Sequence, residues 1–508
     1  MATIKEITAL CKAGNVEDAY VMALADWQAT PDDVWAQREV GWTLYYLLKP
    51  DIDRHDARAF NEHLYTYAQL SLLADDDMIQ ESILWRITEY VRGLQKNDVQ
   101  SLDGLFSTIQ SLKFKPSRPY SFLLKLVLQF EGWKRLADFL EWWQLDHFMP
   151  EDYQPFQSEN GKRLMALAER GYVAMARELV KGADKEKMRA FIPKMETLMD
   201  EYPDMLYPGY FCGKMLITLG TTPDEALQKV IPFAKKKVSE FWVWQLLAEI
   251  FADNDKERQM ACLLRASHCR TQEAFLGKLR IRLADNYIHQ GDYNRARHHI
   301  DIVARTYLSH GWRLPFEVQC WVREPWIQQA KADASDPIDW QGITDVLLFA
   351  DAKEAIAVVT YVDPQKHRAV IVYGEKKSSM ERYDRWKVKV NVGTLLKIRY
   401  TDNHGKVAHI VGAETVGVEA IADLPYCKKV SGMVLQRDGQ AFAFLKTFND
   451  KLFIAPPVVA KHHLSNGQRI EALAVLDYNK KRDSWGWNCV SVVKKNEAQF
   501  VSPEQISK

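Results

Sequence analysis

The sequence predicts a multidomain chain, α then β: a solenoid of α-helical hairpins followed by two small β-barrels. Three observations carry that prediction: a 3.6-residue apolar period from about residue 4 to 330, a recurrence of the pattern about every 35 residues, and a switch to a two-residue period beyond about residue 353. At 508 residues the chain is too long for one ordinary core. Its composition, 47% hydrophobic and 26% charged, is that of folded globular protein, so disorder is expected only at the ends.

The helical part comes first. Trp133, Leu136, Leu140 and Trp143 fall on one stripe of a helix, with Lys134, Asp138 and Glu141 off it. Comparable stripes are separated by turn signals at Gly14-Asn15, Pro31-Asp32-Asp33, Thr222-Pro223-Asp224 and Gly291-Asp292. Leu283, Ala284, Tyr287, Gly291, Ala296 and Ile300 stand at the large, small, aromatic, turn, small and large positions of a tetratricopeptide (TPR) repeat, which this segment resembles. Trp244, Leu247, Ala248 and Phe251 repeat the pattern upstream, as do Cys212, Gly213 and Leu216 before them. Cys212, Leu247 and Leu283 are spaced by 35 and 36 residues. Gly14, Ala19 and Pro31, then Val40, Gly41 and Leu44, give the same register at the N-terminus, whereas the likeness is poor between about 60 and 200. Small residues at these positions let the helices of a hairpin approach closely. The helical array is expected over 1–335.

Near Pro325 to Pro337 the pattern breaks. After an apolar segment from Trp340 to Phe349, alternation sets in at Val358, Thr360 and Val362, at Val370 and Val372, and at Lys387 to Val390. Two modules are expected, 353–418 and 424–496, each of five short strands. In the second these would be 429–437, 440–447, 451–454, 469–478 and 485–493, with a helical turn over 459–464 between the third and fourth. Five strands with a helix after the third is the OB plan, a small Greek-key barrel used largely for single-stranded nucleic acid.

Candidate site residues follow from alternation and charge. Ala441-Phe442-Ala443-Phe444-Leu445 and Leu452-Phe453-Ile454 resemble the paired RNA-binding motifs of cold-shock domains, in which aromatics on adjacent strands form a platform for unstacked bases. Ala443 stands where that pattern has glycine, and Ala455 where it has a stacking histidine. The platform would be Phe442, Phe444 and Phe453; equally, these rings could be barrel core, since Ala441 and Leu445 are apolar too. A basic loop, Lys480, Lys481 and Arg482, runs into Trp485 and Trp487, whose indoles share a face by strand alternation. Cations beside aromatics suit phosphates and bases, and a solvated hairpin tip over a tryptophan core is the plainer alternative. In the first module Arg382, Arg385, Lys387 and Lys389 lie among Tyr383 and Trp386, which suits a groove tracking a phosphate backbone as well as a lysine-protected sheet edge.

Charge distribution separates the two parts. The chain is neutral, with 67 basic and 67 acidic residues, yet residues 341–508 hold 25 Lys and Arg against 18 Asp and Glu, a balance of +7 that leaves −7 for residues 1–340. Different partners are expected for the two. Seven scattered cysteines without a CxxC pair point to a reducing compartment and no structural zinc. No apolar run reaches the roughly 20 residues of a membrane span, and the N-terminus lacks a signal-peptide pattern, so a cytoplasmic protein is expected. No phosphate-binding loop, dinucleotide fingerprint, zinc-protease helix or nucleophile elbow occurs. The adjacent pairs His298-His299 and His462-His463 diverge on a helix. No enzyme activity, metal or cofactor is therefore expected.

As a whole, the chain resembles TPR-plus-OB proteins of bacterial conflict systems of the TOTE type. The residues that carry the resemblance are Phe241 to Ile250, Gly311-Trp312-Arg313-Leu314-Pro315, Phe453-Ile454-Ala455-Pro456-Pro457 and Lys480 to Trp487. It implies a non-catalytic component of antiviral defence working beside separately encoded enzymes. The expected function is an adaptor, with a protein partner on the TPR surface and single-stranded or structured nucleic acid, RNA or DNA, on the OB modules. A protein-only interaction scaffold is the alternative.

Overall fold

The computed structural model describes residues 4–70, 76–157, 160–161, 163–384, 386, 388–403, 406–421, 424–448, 450–479 and 483–495. Its contacts divide the chain into two units, 1–340 and 341–508.

The first unit is helical. Its helices start where a short acceptor side chain can satisfy free N–H groups: Asp56, Asp98, Asp184, Asp255 and Asp292 each accept from the backbone N–H three residues on. Thr222 and Glu225 do so reciprocally. In the segment with the clearest repeat, the pairs are Tyr207–Leu219 with Pro223–Lys236, Phe241–Ile250 with Lys256–Ser267, and Gly277–His289 with Tyr293–Ser309. The positions with repeat character lie between the helices: Trp244, Leu247, Ala248, Leu283, Ala284, Tyr287, Ala296 and Ile300 are all buried. Gly291 turns the last pair at φ +76°. A Cβ on Gly213 would stand 2.2 Å from Val230 Cγ2, so the first pair closes only over a glycine. Of the predicted stripe, Trp133, Leu140 and Trp143 are buried; Trp133 precedes its helix, Leu136–Trp143, rather than opening it. Within the stretch where the repeat is poor, a short hairpin interrupts the helices, β1 (Phe156–Gln157) with β2 (Arg163–Leu164).

The second unit contains two five-stranded modules. The first has β3 (Lys353–Asp363), β4 (Arg368–Gly374), β5 (Lys377–Arg382), β6 (Leu395–Asn403) and β7 (Lys406–Thr415). They form an antiparallel sheet in the order β5-β4-β3-β6-β7. Ala357, Val359, Ala369, Ile371, Tyr373, Leu396, Ile398 and Tyr400 fill its inner face. Of the expected alternating strand at Lys387 to Val390, the described residues 388–390 are not in a strand. Val388 and Val390 lie in the irregular connection from β5 to β6, where they pack against the core. Trp386, expected among the cations, is buried in that core. Its indole fills the sheet's inner face at the place in the chain where the second module has a helix.

That second module has β8 (Cys427–Leu435), β9 (Ala443–Lys446), β10 (Lys451–Ile454), β11 (Arg469–Asn479) and β12 (Ser484–Lys495), with the helix Pro456–Lys461 after β10. The barrel is closed, in the order β10-β12-β11-β8-β9. β10 runs parallel to β12, Phe453 facing Asn488, and every other pairing is antiparallel. The first module repeats this strand order; among the described residues it has no third-to-fifth pairing. Val458 and Val459 of the helix plug the barrel.

The two modules share a core. Val358, Val372 and Leu395 of the first pack with Tyr426, Cys427, Leu473, Val475 and Val490 of the second. The Tyr426 hydroxyl donates to the Ile356 carbonyl over 2.6 Å.

Candidate nucleic-acid interface

Strand alternation decides the fate of the phenylalanines. Ala443, Leu445, Leu452 and Ile454 point inward and belong to the barrel core. Their neighbours Phe442, Phe444 and Phe453 therefore face outward. Phe453 stands directly opposite Phe444 across the β9–β10 ladder. The ring centroids lie 5.8 Å (Phe442 to Phe444), 5.8 Å (Phe442 to Phe453) and 5.9 Å (Phe444 to Phe453) apart. Phe453 is 37% exposed, and the other two are half-buried. Their contacts are tilted or edge-on rather than face-to-face.

Cations border this face. Lys451 Nζ lies 4.5 Å from the Phe444 centroid, and Lys446 stands opposite Lys451 in the ladder. Between them Phe448, at the tip of the β9–β10 turn, is fully exposed. These three residues were not singled out from sequence. The available signal was the short segment from Lys446 to Lys451, an aromatic bracketed by lysines between two strands.

The tryptophans stand on β12. Trp487 packs against the barrel core, with Lys428 Nζ 4.0 Å from its ring centroid. Trp485 is tilted against Tyr478 at 5.6 Å, and the Tyr478 hydroxyl donates to the Asp483 carboxylate, which pushes the phenol pKa up. Lys480, Lys481 and Arg482 lie outside the described residues, as do Arg385 and Lys387 of the first module. Arg382 is exposed on β5, its guanidinium 3.4 Å from Asp384, and Lys389 is exposed in the β5–β6 connection. The structure thus brings together the phenylalanines, while Trp487 engages the barrel core and Arg382 and Lys389 belong to the first module.

Burial pushes the Cys427 and Cys489 thiols up to about 12, which leaves them protonated at neutral pH. Among the described residues no group of three His, Cys, Asp or Glu side chains converges as a metal site, and no helix is long and apolar enough to cross a membrane.

A closed five-stranded barrel with a parallel third-to-fifth pairing, a helical plug and aromatics on the outside of its second and third strands is of the OB class. Residues 428–492 match the S1/CSD-like domain 2 of the TOTE conflict systems, and residues 349–411 match the S1/CSD-like domain 1 of the same systems. The β unit is thus similar to a defence-associated module of the nucleic-acid-binding type. Residues 206–339, which span the clearest helix pairs, match a domain of unknown function (DUF7017). No curated protein matches the chain.

Proposed function

We propose that the chain is a non-catalytic adaptor of bacterial anti-invader defence: its β unit binds single-stranded or structured nucleic acid and its TPR-like helical array holds a protein partner. The observation that carries the reading is the outward phenylalanine cluster with Lys451 beside it, because a barrel that needed those rings for its core would point them inward. Bases would stack on the ring faces and lysines would neutralise phosphates. The likeness to conflict-system modules supports the setting.

For the helical array, support comes from an exposed aromatic cluster. Trp85 and Phe156 are 41% and 37% exposed, and Phe122 lies 6.1 Å from Trp85. The Arg92 guanidinium is 4.9 Å from the Phe122 ring and Lys125 Nζ is 5.0 Å from that of Phe156. Among the described residues neither cation is within ion-pair distance of a carboxylate, so the fitting partner is a peptide that carries both acidic and apolar side chains. The competing protein-only scaffold draws its support from Trp487, whose engagement with the core removes one expected stacking ring.

The deciding experiment is fluorescence anisotropy of the full chain with labelled single-stranded RNA and DNA at about 50 and 200 mM salt. The adaptor reading expects salt-sensitive binding that is lost when Phe442, Phe444 and Phe453 are changed to Ala without loss of the thermal transition. A wild-type chain that binds neither strand makes the scaffold the better account.

A further inference from the structure

The seam between the two β modules is built rather than tethered. Besides the shared core and the Tyr426 hydrogen bond, Gly393 in the turn before β6 sits at φ +86°, and a Cβ there would stand 2.5 Å from Ser491 Cβ and 3.0 Å from the Val490 carbonyl oxygen. The backbones of the modules touch at that point, and only glycine fits.

From this seam an apolar strip continues into solvent on the first module. Val358 and Val372, paired across β3 and β4, lie in the shared core. The next outward cross-strand row is Tyr361, Val370 and Met380. Tyr361 is 52% exposed and Met380 53%, although a sheet face with no ligand would ordinarily carry polar side chains there. One row further out stand Asp363, Arg368 and Arg382. Asp363 Oδ1 accepts from the Lys366 N–H over 3.1 Å, and Asp384 lies 3.4 Å from Arg382. Among the described residues Arg368 is within ion-pair distance of no carboxylate. On the other side of the seam, Val490 of the shared core is two residues along β12 from Asn488, the partner of Phe453. That is a step of about 7 Å.

We propose that the β modules read one strand as a single welded unit. Nucleotides that run past the phenylalanine face would meet Tyr361 and Met380 with their bases and Arg368 and Arg382 with their phosphates. The proposal rests on the nucleic-acid reading above and adds to it a second contact face at a fixed spacing. A fixed spacing makes the second contact intramolecular, so a strand long enough to reach both faces gains affinity that neither module has alone.

The test compares labelled oligouridylates of about six nucleotides, within the span of one OB barrel, and about 20, beyond it, on the full chain. The readout is the ratio of their affinities. The gain that a longer strand has from extra registers is common to all variants, so it cancels between them. The welded unit expects the ratio to fall at least about tenfold in Y361A/R368A. It expects the same in G393V, which forces the seam apart, with the six-mer still bound as in wild type. Thermal melting verifies that both variants fold, and the surface pair keeps the test valid if G393V does not. An unchanged ratio in a folded Y361A/R368A overturns the welded unit and leaves the phenylalanine face standing. Binding of neither oligonucleotide by the wild type overturns both.

Discussion

Removal of one ring from the phenylalanine face tests its role with little damage to the barrel. Phe453 touches Phe442 and Phe444 at 5.8 and 5.9 Å, but the core beneath is built by Leu452 and Ile454. Phe453→Ala should therefore cost about 1 kcal/mol of stability, the worth of the lost ring contacts. If a base stacks on that ring, binding loses about 1–3 kcal/mol, or about 5- to 150-fold in affinity. Stacking carries no net charge, so the loss should be the same at every salt concentration. Lys451→Ala should behave differently: the loss of one phosphate contact lowers the slope of log K against log salt by about 0.7 for a single strand, and the two curves converge at high salt. Anisotropy titrations of both variants over a salt series, with thermal melting alongside, read the two effects separately. Wild-type affinity in a folded Phe453→Ala protein would refute base stacking on this face.

Other perturbations address the helical unit and the thiols. Gly213→Ala puts a methyl against buried Val230 and should destabilise the helix pair by about 1–3 kcal/mol, read as a lowered urea midpoint. Glu169, buried on the helix Leu167–Gly182, accepts from the Leu206 and Tyr207 N–H groups at 3.0 and 3.1 Å and so caps the helix Tyr207–Leu219 from outside; Glu169→Ala should cost about 1–3 kcal/mol in thermal unfolding. His299 is held down to about 3 by burial and, second, by the Arg280 guanidinium, 3.2 Å from its Nδ1. The unfolded imidazole takes up a proton near pH 6.5, so its share of stability is present above that pH and falls by up to about 1.4 kcal/mol per unit below it. His299→Gln should flatten that part of the slope in urea unfolding between about pH 7 and pH 5. Cys320 is exposed and Cys269 half-buried while the other five thiols are buried, so a thiol reagent should label Cys320 first and reach all seven only after denaturation.

How far the sequence discloses this molecule depends on the range of each signal. Periodicity is local, and it marked the helices and nearly every strand of the second module: β10 falls at 451–454 as expected, β8 and β9 within a few residues. The plug helix begins at Pro456 rather than at 459, because proline at the start of a helix is as informative as the valines after it. In the first module, alternation at Lys387 to Val390 misled, since an irregular segment draped over a core alternates too. Which face of β9 looks inward was undecidable, because Ala441, Phe442, Ala443, Phe444 and Leu445 are apolar on both sides. Only closure of the barrel on Leu452, Ile454, Val458 and Val459 chooses between them. Trp386, set among cations in sequence, is buried for a related reason: a ring flanked by cations in sequence is not thereby exposed. The seam at Gly393 and Ser491 had no signature at all, because residues 98 positions apart meet there through tertiary structure alone.

The in-and-out alternation of β9 and β10 also bears on how such a protein can change. Positions 443, 445, 452 and 454 hold the barrel together, and positions 442, 444, 448 and 453 are spent on the outside. Two largely independent alphabets are thus interleaved in a dozen residues. Selection for a new ligand can rewrite one of them while the other stays constant, so variation among kindred sequences should concentrate on positions 442, 444, 448 and 453. The same interleaving offers a protein engineer an outward face that can be randomised on a scaffold left intact.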